Sequence, residues 1–164
     1  VALTDYTSYA EIRGVLGVSD DELTDTTLGL AIYASALVVE LQSIAAELPA
    51  AFATVKAISA ADRTTLQANL YEAVTLFSAY AVADRLASSL PLFAAKSITD
   101  GKAAVSRDSG APYAATIKRV REDFNRYLAL LDSRYTSYLG SSREVPVMSF
   151  LSVSSPSTNP VTDV

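Results

Sequence analysis

Residues 113–140 read YAATIKRVREDFNRYLALLDSRYTSYLG. Tyr113, Ile117, Val120, Phe124, Tyr127 or Leu128, Leu131, Tyr135 and Tyr138 recur in steps of four and three, which puts them on one stripe of a helix some 26 residues long. Arg119, Glu122, Asp123 and Arg126 face away, and Gly140 is placed to cap the end. Working outward, a second long pattern runs from Leu66 to Leu90, with Leu66, Leu70, Ala73, Phe77 and Ala81 flanked by Val74 and Val82. Its many alanines let helix backbones approach closely. A third, from about Asp25 to Leu48, is apolar nearly all round: Leu28, Leu30, Ile32, Tyr33, Leu37, Val38, Val39, Leu41 and Ile44. A helix without a polar face must be covered on most sides, so this one is expected to be central. The fold class is all-α: a bundle of three long helices plus short N-terminal helices, over residues 1–140.

The N-terminal part carries helix-start signals. Ser8-Tyr9-Ala10-Glu11 has capping-box spacing, and a short helix through Leu16 should be closed by Gly17. Ser19-Asp20-Asp21-Glu22 repeats the spacing, with carboxylates gathered where a helix start carries partial positive charge. A metal reading of Asp20, Asp21, Glu22 and Asp25 is weaker than capping, because the loop lacks the glycine and distal glutamate of a calcium hand. Pro49 follows the apolar helix, residues Ala50 to Ile58 read as irregular or a short helix, and Ser59-Ala60-Ala61-Asp62 reads as the start of the next long one. Glu72, Asp84 and Arg85, the charges inside that helix, read as ion pairs or edge positions.

Between the last two long patterns lies a segment opened by Pro91 and closed by Pro112. Proline ends the preceding helix and suits the start of the following one. Asp100-Gly101, between short β-permissive runs, signals a tight hairpin turn, so residues 91–112 are expected to form a β-hairpin-like finger decorated by Lys96, Lys102 and Arg107. Connections this long are usually functional or disordered, which makes the finger a candidate for ordering against a partner or a neighbouring subunit.

After Gly140 the composition changes. Residues 141–164 hold Pro146, Pro156 and Pro160 with seven serines, so no helix is expected there. Val145, Val147, Met148, Phe150, Leu151 and Val153 are nevertheless apolar and in β-prone surroundings. This reads as an extended C-terminal arm that docks elsewhere, as an added strand on a partner or folded back on its own bundle.

The chain of 164 residues suits one domain, and with half its residues apolar and 19% charged it is not disordered throughout. Its net charge of −5 is uneven. Residues 1–48 set eight carboxylates against Arg13 alone, a net −7, whereas residues 113–140 are net +2. That asymmetry suits head-to-tail packing of copies, although a solvated charge distribution explains it too. Cysteine and histidine are absent, which removes disulfides, thiol chemistry, the commonest metal ligands and the usual neutral-pH proton shuttle. The six glycines form no phosphate-binding fingerprint, and no serine has a convincing base beside it. No enzyme, cofactor or metal is expected. The most apolar run, Leu28 to Val39, breaks at Glu40 and Gln42, short of the roughly 20 residues of a membrane span. With no basic and apolar leader pattern in view either, the chain is expected to be soluble and to stay where it is made.

The order of these parts resembles a known family. It consists of the capped N-terminal pattern Tyr9 to Asp25, the apolar helix, a long helix, the insert Ser97 to Arg107, a last long helix and an extended arm. Together they are similar to the head-to-tail adaptor, or connector, proteins of tailed bacteriophages. The resemblance covers essentially the whole chain and lies in a pattern of elements, not in a catalytic signature. It implies a structural virion protein, made in the host cytoplasm, whose copies form a ring, typically of twelve, between the portal protein and the next tail component. Double-stranded DNA would pass through the ring without sequence-specific binding, and no membrane is involved. Carried onto this chain, the portal-binding arm would be Glu144 to Val164, with Val145, Val147, Met148, Phe150, Leu151 and Val153 as its anchors. The finger or inter-subunit loop would use Lys96, Ile98, Asp100, Gly101, Lys102 and Arg107. Asp20, Asp21, Glu22 and Asp25 would be channel-facing acids that repel the duplex. A free-standing helical regulatory or ligand-binding bundle, with an apolar pocket between its helices, is the alternative. A third reading places an enzyme on buried carboxylates such as Glu72 or Asp84.

Overall fold

The computed structural model describes residues 1–90, 97–100, 103–106 and 113–140, and it is predominantly helical. A 3₁₀ turn at Leu3–Asp5 precedes α1 (Tyr9–Leu16), α2 (Asp25–Leu28), α3 (Ala31–Ile44), α4 (Leu48–Ala57) and α5 (Thr65–Ala87). Two short strands follow, β1 (Ser97–Asp100) and β2 (Ala103–Ser106), and then α6 (Ala114–Gly140). The strands pair antiparallel, with Ser97 opposite Ser106 and Asp100 opposite Ala103.

Helix α1 begins where the capping chemistry puts it. The Ser8 Oγ accepts from the Glu11 amide at 3.2 Å, while Glu11 Oε2 accepts from the Ser8 amide and the Thr7 hydroxyl, each at 2.8 Å. Gly17 closes the helix in the left-handed region, at φ 69°, where a Cβ would be strained. Partial burial would raise the Glu11 pKa, but the Ser8 amide and the Thr7 and Ser8 hydroxyls outweigh it and hold the group below its ordinary 4.5. Because the folded value lies below the unfolded one, this carboxylate stabilises the fold above 4.5 and ceases to do so as pH falls through its depressed value. Glu11→Gln is therefore expected to flatten part of the acid limb of the stability profile, read by urea unfolding across a pH series. Ser8→Ala should cost about 1 kcal/mol at neutral pH through the lost cap. Wild-type acid sensitivity in Glu11→Gln would contradict this account.

Several boundaries differ from expectation. The single helix expected from Asp25 to Leu48 is instead α2, α3 and the first residue of α4. Thr24 caps α2, and the chain breaks at Gly29-Leu30, where Leu30 is extended. Glycine weakens a helix by about 1 kcal/mol relative to alanine. A Cβ at Gly29 would stand 3.0 Å from the Asp25 carbonyl oxygen and 3.2 Å from the Tyr9 hydroxyl, so a larger residue here would have to push its neighbours by a few tenths of an ångström. Pro49 does not follow a helix but sits in the first turn of α4, where a missing amide costs nothing. The chain bends by 108° between α3 and α4. Ser59 and Asp62 form only a turn, and the start of α5 belongs to Thr64, whose hydroxyl and the Gln67 side chain make a reciprocal capping box. Gly140 is the last described residue of α6. Tyr113, just before α6, is the one non-glycine residue with positive φ among the described residues.

The centre of the core is α5, not α3. Leu70, Ala73, Val74, Phe77, Ala79, Ala81, Val82, Ala83, Leu86 and Ala87 are all buried, facing more than one side of α5. The buried Ser78 hydroxyl is satisfied by the Val74 carbonyl at 2.7 Å, one turn earlier in the same helix. Small side chains on several sides let α1, α3, α4 and α6 close around a 23-residue rod. Its main partner is α6, whose stripe of Ile117, Val120, Phe124, Leu128, Leu131 and Tyr135 packs into the core. Phe77 and Phe124 stand 5.6 Å apart by ring centroid and Tyr80 and Tyr127 4.6 Å. Stacked Tyr6, Phe52 and Tyr71 tie the N-terminal turn through α4 to α5, with the Arg63 guanidinium 4.0 Å over the Tyr71 ring.

Helix α3 packs by one edge only. Ala34, Leu37 and Leu41 are buried, whereas Leu30, Ile32 and Val39 are 51%, 69% and 63% exposed. Its apolar circumference exceeds what the described residues cover.

Candidate functional site

The polar groups nominated by the sequence do not converge. Asp20 and Asp21 are exposed in the turn after α1. Glu22 is engaged as a cap: its Oε2 accepts from the Ser19 amide at 3.0 Å, and its own amide donates to the Ser19 hydroxyl at 3.3 Å. Asp25 opens α2 and forms an ion pair with Arg13, which also donates to the Leu23 carbonyl at 2.7 Å. Arg13 thus staples the acidic turn to α1 and neutralises part of it, leaving Asp20 and Asp21 as its outward charges. Among the described residues no group of three or more carboxylates gathers as a metal site would.

The finger residues divide. Ile98 and Asp100 belong to β1, opposite Val105 and Ala103. Lys96, Gly101, Lys102 and Arg107 lie outside the described residues, as do the arm residues Val145, Val147, Met148, Phe150, Leu151 and Val153.

The other charges work inside the subunit. Arg121 Nε meets Asp84 Oδ1 at 2.5 Å, clasping α6 to α5, and Arg85 meets Glu40 Oε1 at 2.6 Å, tying α5 to α3. Glu72 is exposed. Arg119 donates to the Val15 carbonyl at 3.0 Å, Lys118 stands 3.8 Å from Glu122, and Arg126 lies 3.7 Å from Asp123 with its guanidinium over Tyr127. Much of the positive charge on α6 is therefore spent on internal contacts. Among the described residues this weakens the case for a purely electrostatic head-to-tail contact.

Two grooves stand out among the described residues. One, of about 330 Å³, is lined largely by polar residues including Thr4, Asp5, Ser8, Glu11 and Lys56, with Lys56 Nζ donating to the Asp5 carbonyl at 2.7 Å. The other, of about 470 Å³, runs between the end of α3 and the middle of α6, along Ser43, Ile44, Asn125, Leu128, Ala129 and Asp132. It adjoins the surface that sequence reasoning missed, the outward face of α3. At i, i+4, i+7 and i+11, Ile32, Ala36, Val39 and Ser43 share one side of that helix, opposite buried Leu37 and Leu41. The signal for it was present as apolar residues on all sides of α3, which states how much surface wants covering and not which side the fold covers.

No described helix is by itself long and apolar enough to cross a membrane. Set against protein-family models, curated proteins and solved structures, the chain matches none. Among the described residues the fold offers an acidic turn, an antiparallel strand pair between α5 and α6 in the chain, and an apolar helix face that no described residue covers.

Proposed function

We propose that the protein is a head-to-tail adaptor of a tailed bacteriophage, a structural subunit repeated in a ring, of twelve copies by the family pattern, between the portal protein and the tail. The observation that supports the reading is where the segments 91–112 and 141–164 join the helical body. The segment 91–112 enters α6 at its start and the segment 141–164 leaves at its end, and 27 helical residues separate those points by about 40 Å. A subunit that joins two different partners needs contact elements at opposite ends of a stiff body. Helix α6, clamped to α5 along its length, is such a body.

In this reading the finger meets a neighbouring copy, the portal or the next tail component, and the apolar arm from Glu144 to Val164 lies on the portal. Docking of these segments on the portal, and not contact between free copies, drives assembly in this reading, so the ring forms on the portal and not prematurely in the cytoplasm. Each arm binds weakly and the ring holds by many linked contacts. Asp20 and Asp21 face the channel, where their charge keeps passing DNA from adhering.

Cross-linking mass spectrometry on assembled particles tests this, following Lys96, Lys102 and the arm. Links from the arm to a larger ring-forming protein, with finger-to-bundle links between copies, are the expected result. Intrachain links alone, from a protein that fractionates as a free monomer, would overturn the adaptor reading and favour a free-standing bundle.

A further inference from the structure

The face of α3 formed by Ile32, Ala36 and Val39, with Leu30 at one end, is an apolar strip at the surface, and Leu30, Ile32 and Val39 are, with Val1, the exposed large apolar side chains among the described residues. Ile32 and Val39 are 69% and 63% exposed, although α3 is flanked by well-packed helices. We propose that, in the free protein, this strip is covered by the chain's own segment Val145–Val153, laid along α3 from its C-terminal end toward its N-terminal end.

Reach supports this occupant. Tyr135 of α6 lies within electrostatic range of Glu47, just past the end of α3, and Asp132 and Ala129 line the groove whose opposite wall is Ser43 and Ile44. From Asp132 to Gly140, α6 advances only about 12 Å beyond that groove. Residues 141–144 would span up to about 13 Å if extended, a length comparable with that advance, so Val145 has the reach to return toward Ser43. The strip from Ser43 to Leu30 is about 20 Å long. Val145 to Val153, extended, reaches up to about 30 Å, enough to span it. Chemistry agrees with reach. Val145, Val147, Leu151 and Val153 share one edge of an extended segment with Ser149, and Met148 and Phe150 lie on the other with Pro146 and Ser152, so the segment carries apolar side chains on both edges with which to cover the strip.

Geometry also disfavours a second copy as the cover. One 14-residue helix presents a contact of a few hundred Å² per partner, below the roughly 800 Å² per partner typical of a stable association. A tethered segment needs far less area, because a linker of four residues gives it an effective concentration in the millimolar range. The contact belongs to the free chain and stands or falls apart from the adaptor reading. In an adaptor, it is the contact that the portal would displace.

The test uses the full chain carrying a photoreactive benzophenone side chain in place of Val39 and, in a second variant, in place of Ile32, both at exposed positions. Equal amounts of ¹⁴N- and ¹⁵N-labelled protein are mixed, irradiated and digested, after circular dichroism has confirmed the helical fold. The expected links join either site to residues 145–153 within one isotopic species. With F150S and L151S added, their yield should fall by about tenfold, the change produced by a loss of 1.4 kcal/mol. Mixed-isotope links would show that another copy covers the strip. Links that avoid 145–153, an absence of links, or an unchanged yield in the double variant would equally overturn the proposal.

Discussion

Phe77→Ala is expected to destabilise the fold by about 3–5 kcal/mol, against a total of about 5–15 kcal/mol for a domain of this kind. Phe77 is 1% exposed at the middle of α5, and its ring faces Phe124 on α6. Its loss removes the transfer energy of a large side chain. It also leaves a hole between two long helices, which cannot collapse without separating elsewhere. The informative control is Val39→Ala on α3, a residue equally apolar in sequence but largely exposed, for which the change should stay within about 0.5 kcal/mol. Urea unfolding measures both, with an unchanged dependence on denaturant showing that the midpoint reports stability. A large loss at Val39 with a small one at Phe77 would mean that α3 is the centre of the bundle and α5 its edge.

Deleting Val147–Val164 should leave the bundle folded and reduce incorporation into particles by at least about a hundredfold, because contacts repeated around a ring multiply a weak single affinity by such factors. None of the described core residues lies beyond Tyr135, so helical content and cooperative unfolding should survive the deletion. A full-length variant with Phe150→Asp and Leu151→Asp separates loss of apolar contact from loss of chain, and it should fail in the same way. Measurement is by counting subunits per particle after complementation of a strain lacking the native chain. Wild-type incorporation of either variant would remove the arm from the assembly mechanism.

Much of the local structure was legible because it depends on near neighbours in the chain. Ser8 and Glu11 announced the first helix, Gly17 its end, and the steps of three and four from Tyr113 to Tyr138 the stripe by which α6 packs. The errors have separate causes. Ser59 is followed three residues on by Asp62, whereas Thr64 is followed by Gln67 and makes the full reciprocal box, a local signal that went unread. At Gly29 the Tyr9 hydroxyl, from a residue twenty positions away, stands close to where a side chain would be, a contact that no local pattern contains. Pro49 reads equally well as the residue after one helix or as the first turn of the next.

From its residues alone, this chain is determined to be helical, to cap its first helix at Ser8, to present one stripe of α6 to a partner helix and to lack histidine and thiol chemistry. Those properties follow from side-chain spacing and composition, which act over a few residues. The tertiary structure alone decided that α5 is the centre, that Arg13 is spent on Asp25 and Arg121 on Asp84, and that one face of the most apolar helix is left uncovered by the other described residues. Hydropathy measures how strongly a surface avoids water, whereas burial depends on which neighbours the whole chain can bring to it; the length and alanine content of α5 won those neighbours from α3.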